Sequence, residues 1–147
     1  QLATMTAIIA SNGKQVEPKI INDYKYNAVK KLEKYSSAIK IIKKSMFKVV
    51  NEKKGTAFSS RSDDFIFSGK TGTSQVRRIT VAERESDDFR KKEIEWEKRD
   101  HALFVGFMPH DKPKYAVSVV IEHGGSGAKT AAPIAKQIFQ FINKNNI

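Results

Sequence analysis

The segment "FSGKTGTSQV" (residues 67–76) decides between two unrelated folds. Gly69-Lys70-Thr71 is how a phosphate-binding loop ends, but that loop also needs an earlier glycine at the position that Asp64 occupies in this chain. Such a loop must also lead into a helix whose N-terminus faces the phosphates. The residues from Gly72 to Val76 are instead glycine, β-branched and polar types that favour an extended chain. The pattern therefore predicts a strand over residues 64–76.

A strand with this composition carries groups that can hold an anion. Lys70 supplies a cation, Thr71 and Thr73 supply hydroxyl groups, and Gly72 leaves the backbone unobstructed. These are the groups that anchor a carboxylate, and a backbone N–H of the same segment could face a developing oxyanion. The alternative interpretation is a polar strand end without a ligand.

The residues after this strand predict a charged insertion, a hairpin and a closing helix. Sixteen of the 24 residues in 77–100 are charged, so this segment has little to bury and is expected to be an exposed insertion. Two β-rich runs, 101–109 and 114–123, are joined by "HDKP" and predict an antiparallel hairpin. A helix is predicted over 130–145, capped by Thr130, and its expected buried stripe is Ala131, Ile134, Ala135, Ile138 and Ile142.

Two helices are predicted before the strand. The first covers residues 1–11 and ends at Asn12-Gly13, and its expected apolar side is Leu2, Met5, Ile8 and Ile9. The second covers residues 37–55, with Ser37 as its N-cap and Gly55 just beyond its end. Its expected buried stripe is Ile39, Ile42, Met46, Val49 and Val50, and its expected solvent side is Lys40, Lys43, Lys44 and Lys48.

Helices packed on three antiparallel strands predict an α+β fold. The length of 147 residues suits one domain with a core, and no apolar run approaches the about 18 residues that span a membrane. The chain starts inside a predicted helix, which suggests a piece of a longer protein. Cysteine is absent, so disulfides and thiolate metal sites are excluded.

The formal net charge of +11 raises the possibility of nucleic-acid binding. Twelve lysines lie in residues 14–54, scattered along a predicted helix and its flanks, without an arginine-rich arm or zinc-ligand spacing. A solvated lysine-rich face is therefore the preferred interpretation, and no nucleic-acid partner is expected.

The ordered segments resemble the C-terminal part of the transpeptidase domain of class B penicillin-binding proteins, and most nearly the elongation-type D,D-transpeptidases. The resemblance is carried by "FSGKTGTSQV", "RDHALFVGFMP", "YAVSVVIEHGGSG" and "AAPIAKQIFQFI", in this order, and by "QLATMTAIIASNGKQVEPKII" and "MFKVVNEKKGTA" upstream. It covers nearly the whole chain. The whole of residues 1–147 is therefore expected to be the C-terminal portion of such a domain, with 77–100 as an insertion within it.

The resemblance implies an acyl-transfer enzyme of the bacterial cell wall that cross-links peptidoglycan stem peptides and binds penicillin covalently. Its active site uses the motifs S-x-x-K, S-x-N and K-[TS]-G. Carried over to this chain, Lys70 supplies positive charge, Thr71 and Thr73 bind the substrate carboxylate, the N–H of Thr73 is an oxyanion donor, and Gly72 keeps the strand open. The implied partners are D-Ala-D-Ala peptides, β-lactams, the upstream part of the same domain and the cell-elongation machinery. No cofactor or metal is implied, and the implied location is the periplasmic face of the inner membrane.

The other two motifs are not found in a usable position. No S-x-N occurs in the chain, and the four S-x-x-K matches begin at Ser11, Ser37, Ser45 and Ser126. Chance matches are expected in so lysine-rich a chain, and none of the four opens a buried helix upstream of the strand as the family's nucleophile does. No catalytic nucleophile is therefore assigned to this chain, and the isolated chain is expected to be inactive.

Two other functions remain open from sequence alone. A fragment of a serine β-lactamase would carry a similar Lys-Thr-Gly strand, and a basic non-enzymatic module would use the lysine-rich face. His101, His110 and His123 lack metal-ligand spacing, and a structural ion pair is expected for His101 beside Arg99 and Asp100. Trp96 is expected to pack back on the domain.

Overall fold

A computed structural model of the 147-residue chain describes residues 1–19, 30–78, 80, 81, 85 and 94–145. Within these residues it contains helices α1 (Leu2–Ala10), α2 (Ser36–Asn51) and α3 (Ala132–Lys144), and strands β1 (Ser68–Ser74), β2 (His101–Met108) and β3 (Tyr115–Ile121). Short helical turns occupy Glu33–Tyr35, Phe58–Ser60 and Trp96–Lys98, and a π-turn, Gly127–Ala131, leads into α3. The α+β fold predicted from the sequence is confirmed.

The strands form one antiparallel sheet in the order β1-β2-β3. The predicted hairpin is confirmed, because β2 and β3 pair directly and the N–H of Lys114 donates to the carbonyl of Met108 at 3.0 Å. In the described part of the chain β1 pairs with β2 on one side only, so its other side is a strand edge. The observed strand is shorter than predicted and begins at Ser68.

Each face of the sheet packs against a different helix. Alternate side chains of a strand point to opposite faces, and Ala102, Phe104 and Met108 of β2 share a core cluster with Ala135 and Phe139 of α3. We call this side the α3 face. On the other side, the α1 face, Phe107 packs with Ala10 of α1 and Met46 of α2.

The predicted buried stripe of α3 is partly wrong. Ile138 is 38% exposed, whereas Phe139 is fully buried and its ring lies 5.2 Å from the ring of Phe67. The fully buried positions Ala131, Ala135 and Phe139 follow a spacing of four, with small residues at the closest approach to the sheet. The predicted cap is also wrong, because α3 continues from the π-turn and the Thr130 hydroxyl donates to the carbonyl of Gly124.

The predicted apolar side of α1 is also partly wrong. Leu2 and Met5 are 38% and 45% exposed, while Thr6 and Ala10 are buried. Thr6 can be buried because its hydroxyl donates to the carbonyl of Leu2, which leaves only its methyl group to pack. Thr6 and Ala10 let α1 lie close to the sheet, Ile9 packs against the cluster of Ala10, Met46 and Phe107, and Leu2 and Met5 point away.

Helix α2 also departs from its predicted pattern. Ile39, Met46 and Val50 are buried as predicted, but Ile42 is 42% exposed. The helix begins at Ser36, so Ser37 is not its N-cap.

Lys43 is the clearest exception to the predicted solvent face of α2. Its ammonium group donates to the carbonyl of Ala10 at 2.8 Å and to Oδ1 of Asn12 at 2.9 Å. Partial burial lowers the pKa of Lys43, and the charge of Asp111 opposes that shift. Lys43 therefore ties α2 to the end of α1, where Asn12 and Gly13 have positive φ angles.

The predicted insertion is described only in part, since residues 79, 82–84 and 86–93 lie outside the described residues. The prediction that Trp96 packs back on the domain is confirmed in part: its ring lies 4.6 Å from the ring of His123, but the residue is 59% exposed. The ion pair expected for His101 is not formed with the described Arg99 or Asp100. Its Nδ1 accepts the backbone N–H of His123 instead. None of the helices in the described ranges is long and apolar enough to cross a membrane.

Candidate active site

The four predicted site residues lie together on β1, but their side chains divide between the two faces of the sheet. A Cβ built on Gly69 would lie 2.1 Å from Cζ of Phe104, so the odd-numbered residues of β1 point to the α3 face. Thr71 and Thr73 therefore lie on the α3 face, and Lys70 and Gly72 lie on the α1 face. All four can meet one ligand only at the open edge of the strand.

The hydrogen bonds of β1 indicate which backbone groups face that edge. The carbonyl of Phe67 accepts from Nδ2 of Asn51 at 2.9 Å, and the carbonyl of Thr71 accepts from Nζ of Lys70 at 2.6 Å. Both carbonyls are thus directed to side chains outside the β1-β2 ladder. Because the N–H and C=O of one strand residue point to the same side, the N–H of Thr73 lies on this open edge as well.

Thr71 is held by a residue that the sequence analysis did not assign to the site. Its hydroxyl lies 2.9 Å from the hydroxyl of Thr56, in the loop after α2. The loop is fixed by the N–H of Ala57, which donates to the carbonyl of Val49 at 3.0 Å. A Cβ on Gly55 would lie 2.2 Å from that same carbonyl oxygen, so the sharp turn requires glycine. The only sequence signal for Thr56 is its place in the Gly-Thr-Ala segment.

Gly72 is contacted on two sides. The π-turn packs on its peptide, since a Cβ on Gly127 would lie 2.3 Å from the carbonyl oxygen of Gly72 and 2.4 Å from that of Leu103. A Cβ on Gly72 itself would lie 3.2 Å from Cβ of Leu103, and its other near neighbours, also atoms of Leu103, would be 4.0 Å away. The backbone of β1 is thus supported from the α3 face and remains approachable from the α1 face.

A buried polar pair fixes the start of β1. The hydroxyl of Ser68, which is fully buried, lies 2.7 Å from Nδ1 of His110 in the β2–β3 loop. The ring of His110 packs 4.8 Å from that of Phe47, and burial lowers its pKa. The charge of Asp111 opposes this shift, and that of Lys43 adds to it. Because Ser68 is inaccessible, this serine–histidine pair positions the strand and does not form a nucleophile.

The four serines of the S-x-x-K matches lie apart from β1 in the chain, and two of them are engaged in local hydrogen bonds. The hydroxyls of Ser11 and Ser45 donate to carbonyls of their own helices, Ile8 and Ile41. Ser37 is exposed in the first turn of α2, and Ser126 precedes the π-turn.

The structure also decides the alternative interpretation of the Lys70 segment. Gly69-Lys70-Thr71 lies inside a paired strand, which excludes a phosphate-binding loop.

The family of this chain follows from comparison with known proteins. The family model "Penicillin binding protein transpeptidase domain" matches residues 1–140. The chain belongs to the penicillin-binding protein transpeptidase family. The penicillin-binding protein transpeptidase domain that the sequence resemblance predicted is thereby confirmed.

Individual relatives of this transpeptidase-family chain agree with that assignment. It is 32% identical to the peptidoglycan D,D-transpeptidase MrdA of Haemophilus influenzae over 155 residues, which cover 96% of this chain and 23% of the relative. It is also 32% identical to MrdA of Acinetobacter baumannii, covering 96% of this chain and 21% of that protein. The chain therefore spans less than a quarter of the length of these curated relatives.

Solved structures show the same fold. A chain in the complex of PBP2 and MreC from Helicobacter pylori aligns with a TM-score of 0.76 and 26% identity, over 97% of this chain and 24% of that chain. PBP2 of Pseudomonas aeruginosa in complex with WCK 5153 aligns with a TM-score of 0.63 and 29% identity, over 93% of this chain and 27% of that chain. The Lys70–Thr73 strand thus belongs to a fold shared with penicillin-binding proteins.

Proposed function

We propose that this chain forms the strand wall of a peptidoglycan D,D-transpeptidase active site, and that the nucleophilic serine is contributed by another part of the same domain. The observation that carries the proposal is the open edge of β1, where the Lys70 ammonium group, the Thr71 hydroxyl and the Thr73 N–H can reach a common ligand. The substrate class is a stem peptide ending in D-Ala-D-Ala, for which a β-lactam is a mimic.

The carboxylate of the ligand would bind first. Lys70 provides positive charge at the edge, and its ammonium group, which now donates to the carbonyl of Thr71 at 2.6 Å, is exposed and able to turn to an anion. The hydroxyl of Thr71 is oriented by Thr56 at 2.9 Å, and Thr73 adds a second hydroxyl. A cation with two hydroxyl donors satisfies both oxygens of one carboxylate.

The scissile carbonyl would then lie against the backbone. An N–H at the open edge has no ladder partner, so the Thr73 N–H is free to stabilise the oxyanion that forms when the serine attacks. Gly72, approachable on the α1 face, lets the ligand backbone lie close to the strand. The N–H must be held rigidly for this role, and the packing of Gly127 on the Gly72 peptide supplies that rigidity.

The nucleophile is placed outside this chain because no S-x-N occurs in it and two of its four S-x-x-K serines, Ser11 and Ser45, donate to carbonyls of their own helices. Residues 1–147 would be the C-terminal portion of the domain, with 77–100 as an insertion. Large apolar side chains exposed in the described residues, such as Ile41 at 66% and Phe141 at 63%, agree with a chain that is covered by further protein.

The relatives also guide the proposal on partners and location. The solved complex of PBP2 with MreC from Helicobacter pylori supports a role for the whole protein with the cell-elongation machinery. The MrdA relatives, named as peptidoglycan enzymes, support action at the periplasmic face of the inner membrane, and they favour a transpeptidase over a β-lactamase.

A fluorescent penicillin tests the proposal. This chain alone, and a chimera in which it replaces the matching segment of Haemophilus influenzae MrdA, would each be incubated with the probe and examined by intact mass. We expect no adduct on the chain alone and one adduct on the chimera, mapped to a serine outside these residues. An adduct on the chain alone, or none on a folded chimera, would contradict the proposal.

A further inference from the structure

A second pocket lies on the α3 face, formed by residues other than the four assigned to the active site. One wall is Ser59 and Ser60 of the turn after α2, and the other is Lys129 of the π-turn with Lys136, Gln137 and Gln140 of α3. The three α3 residues are spaced so that they share one side of the helix. The pocket measures about 530 Å³, within the range of small-molecule sites.

Ser60 provides the observation that points to a ligand. The residue is 2% exposed, and its hydroxyl has no hydrogen-bond partner among the described residues. Buried hydroxyl groups are almost always paired, so the unpaired hydroxyl of Ser60 in the wall of this pocket is a donor for which a ligand could supply the acceptor. A hydroxyl can donate to an oxygen acceptor in that pocket.

The charge around Ser60 selects the kind of ligand. None of the eight described residues that line the pocket is acidic. Lys129 and Lys136 line it together with the two glutamines, and in the described part of the chain neither ammonium group is paired with a carboxylate. Residues with donor groups thus line both walls, which suits an anion with more acceptor oxygens than a carboxylate has.

We propose that this pocket binds a tetrahedral oxyanion, either phosphate or a phosphate monoester. Lys129 and Lys136 would neutralise its charge, Ser59 and Ser60 would donate their hydroxyl hydrogens, and the amides of the glutamines would complete the set. The volume exceeds that of the bare ion and leaves room for an organic substituent. This site is independent of the proposed transpeptidase function.

Titration with inorganic phosphate, followed by amide NMR at constant ionic strength, tests the site on this chain. We expect saturable shifts at Ser60, Lys129 and their neighbours, and binding weaker by about tenfold or more in the Lys129→Met/Lys136→Met double variant. Ser60→Ala, which keeps the fold because it only removes a hydroxyl group, should also weaken binding. The matched control is Lys40→Met, on the exposed side of α2.

Titrations with glycerol 3-phosphate and with acetate then identify the kind of anion that the pocket binds. Glycerol 3-phosphate should bind the same residues, and tighter binding than that of inorganic phosphate would identify a phosphate monoester as the ligand, whereas equal binding would identify the free ion. Acetate at the same ionic strength should not saturate. Shifts that do not saturate with either phosphate compound, or that are equal in Lys40→Met and the double variant, would overturn the proposal. Because no variant touches Lys70–Thr73, this outcome is distinct from failure of the transpeptidase proposal.

Discussion

Gly127 packs directly on the peptide of Gly72, with its Cβ position only 2.3 Å from the Gly72 carbonyl oxygen. The contact joins the turn before α3 to the strand that carries the candidate site. The carbonyl oxygens of Gly72 and Leu103 that Gly127 approaches belong to the paired strands β1 and β2, so the sheet cannot give way without disturbing that pairing, and a side chain at Gly127 is excluded by sterics.

The two glycines should therefore respond very differently to alanine. Gly127→Ala is expected to destabilise the chain by about 2 kcal/mol or more, because the new methyl group collides with backbone. Gly72→Ala should cost clearly less, because its methyl group would lie 3.2 Å from Cβ of Leu103, a tight contact that a shift of a few tenths of an ångström relieves. Urea unfolding of both variants measures the difference, and equal losses would show that the described contact does not exist.

Proline substitution tests which backbone groups of β1 face the open edge. Thr73→Pro removes an N–H that faces outward, so the sheet should survive, as edge strands tolerate proline on that side. Gly72→Pro removes an N–H that points to the other edge of the strand and bonds to β2. This variant should therefore abolish the pairing of β1 with β2. Amide hydrogen exchange of Leu103 and its neighbours reports the pairing. If only Thr73→Pro lost the sheet, the N–H of Thr73 would point to β2 and not to the open edge.

The hydrogen-bonded pair of buried Ser68 and partly buried His110 should make stability depend on pH. Burial lowers the His110 pKa below its usual 6.5, so the unfolded chain takes up this proton before the folded chain does. The contribution is fully present above pH 6.5 and is lost as the pH falls through the lowered pKa. We expect urea midpoints to fall less between pH 7.5 and 5 (roughly the histidine range) in His110→Gln than in the unchanged chain. An equal fall in both proteins would exclude His110 as the cause.

Substitution of two neighbouring residues can check which side of α3 faces the core. Phe139→Ala should destabilise the chain by about 3–5 kcal/mol, since the ring is fully buried against Phe67. Ile138→Ala should cost less than about 1 kcal/mol, because Ile138 is 38% exposed. Thermal or urea unfolding gives both values. A larger loss of stability in Ile138→Ala than in Phe139→Ala would mean that the buried side of α3 is the one that the sequence spacing predicted.

Sequence patterns predicted those parts of the fold that depend on local periodicity. The hairpin of 101–109 and 114–123, the three helices and the strand nature of the Lys70 segment all follow from spacing and turn residues, and they are confirmed. The roles of Lys70, Thr71, Gly72 and Thr73 came from family resemblance, and they stay a proposal.

Long-range polar contacts were beyond the reach of sequence patterns. Ser68 and His110 are 42 residues apart, and Lys43 reaches back 33 residues to Ala10. The buried side of α1 was predicted partly wrongly because the prediction followed its large apolar side chains, whereas the buried positions are the small residues Thr6 and Ala10. In α3 the predicted Ala131 and Ala135 are buried, and the error is that Phe139, not Ile138, faces the core.

The most direct test of the strand wall is the acylation rate of the chimera with MrdA. A fluorescent penicillin would be followed over time in the unchanged chimera, in Lys70→Met and in the exposed control Lys40→Met. We predict that Lys70→Met lowers the second-order rate constant by about tenfold or more, the loss expected from one charge-assisted hydrogen bond, and that Lys40→Met leaves it unchanged. Equal acylation of all three proteins would contradict the assignment of this strand to the active site.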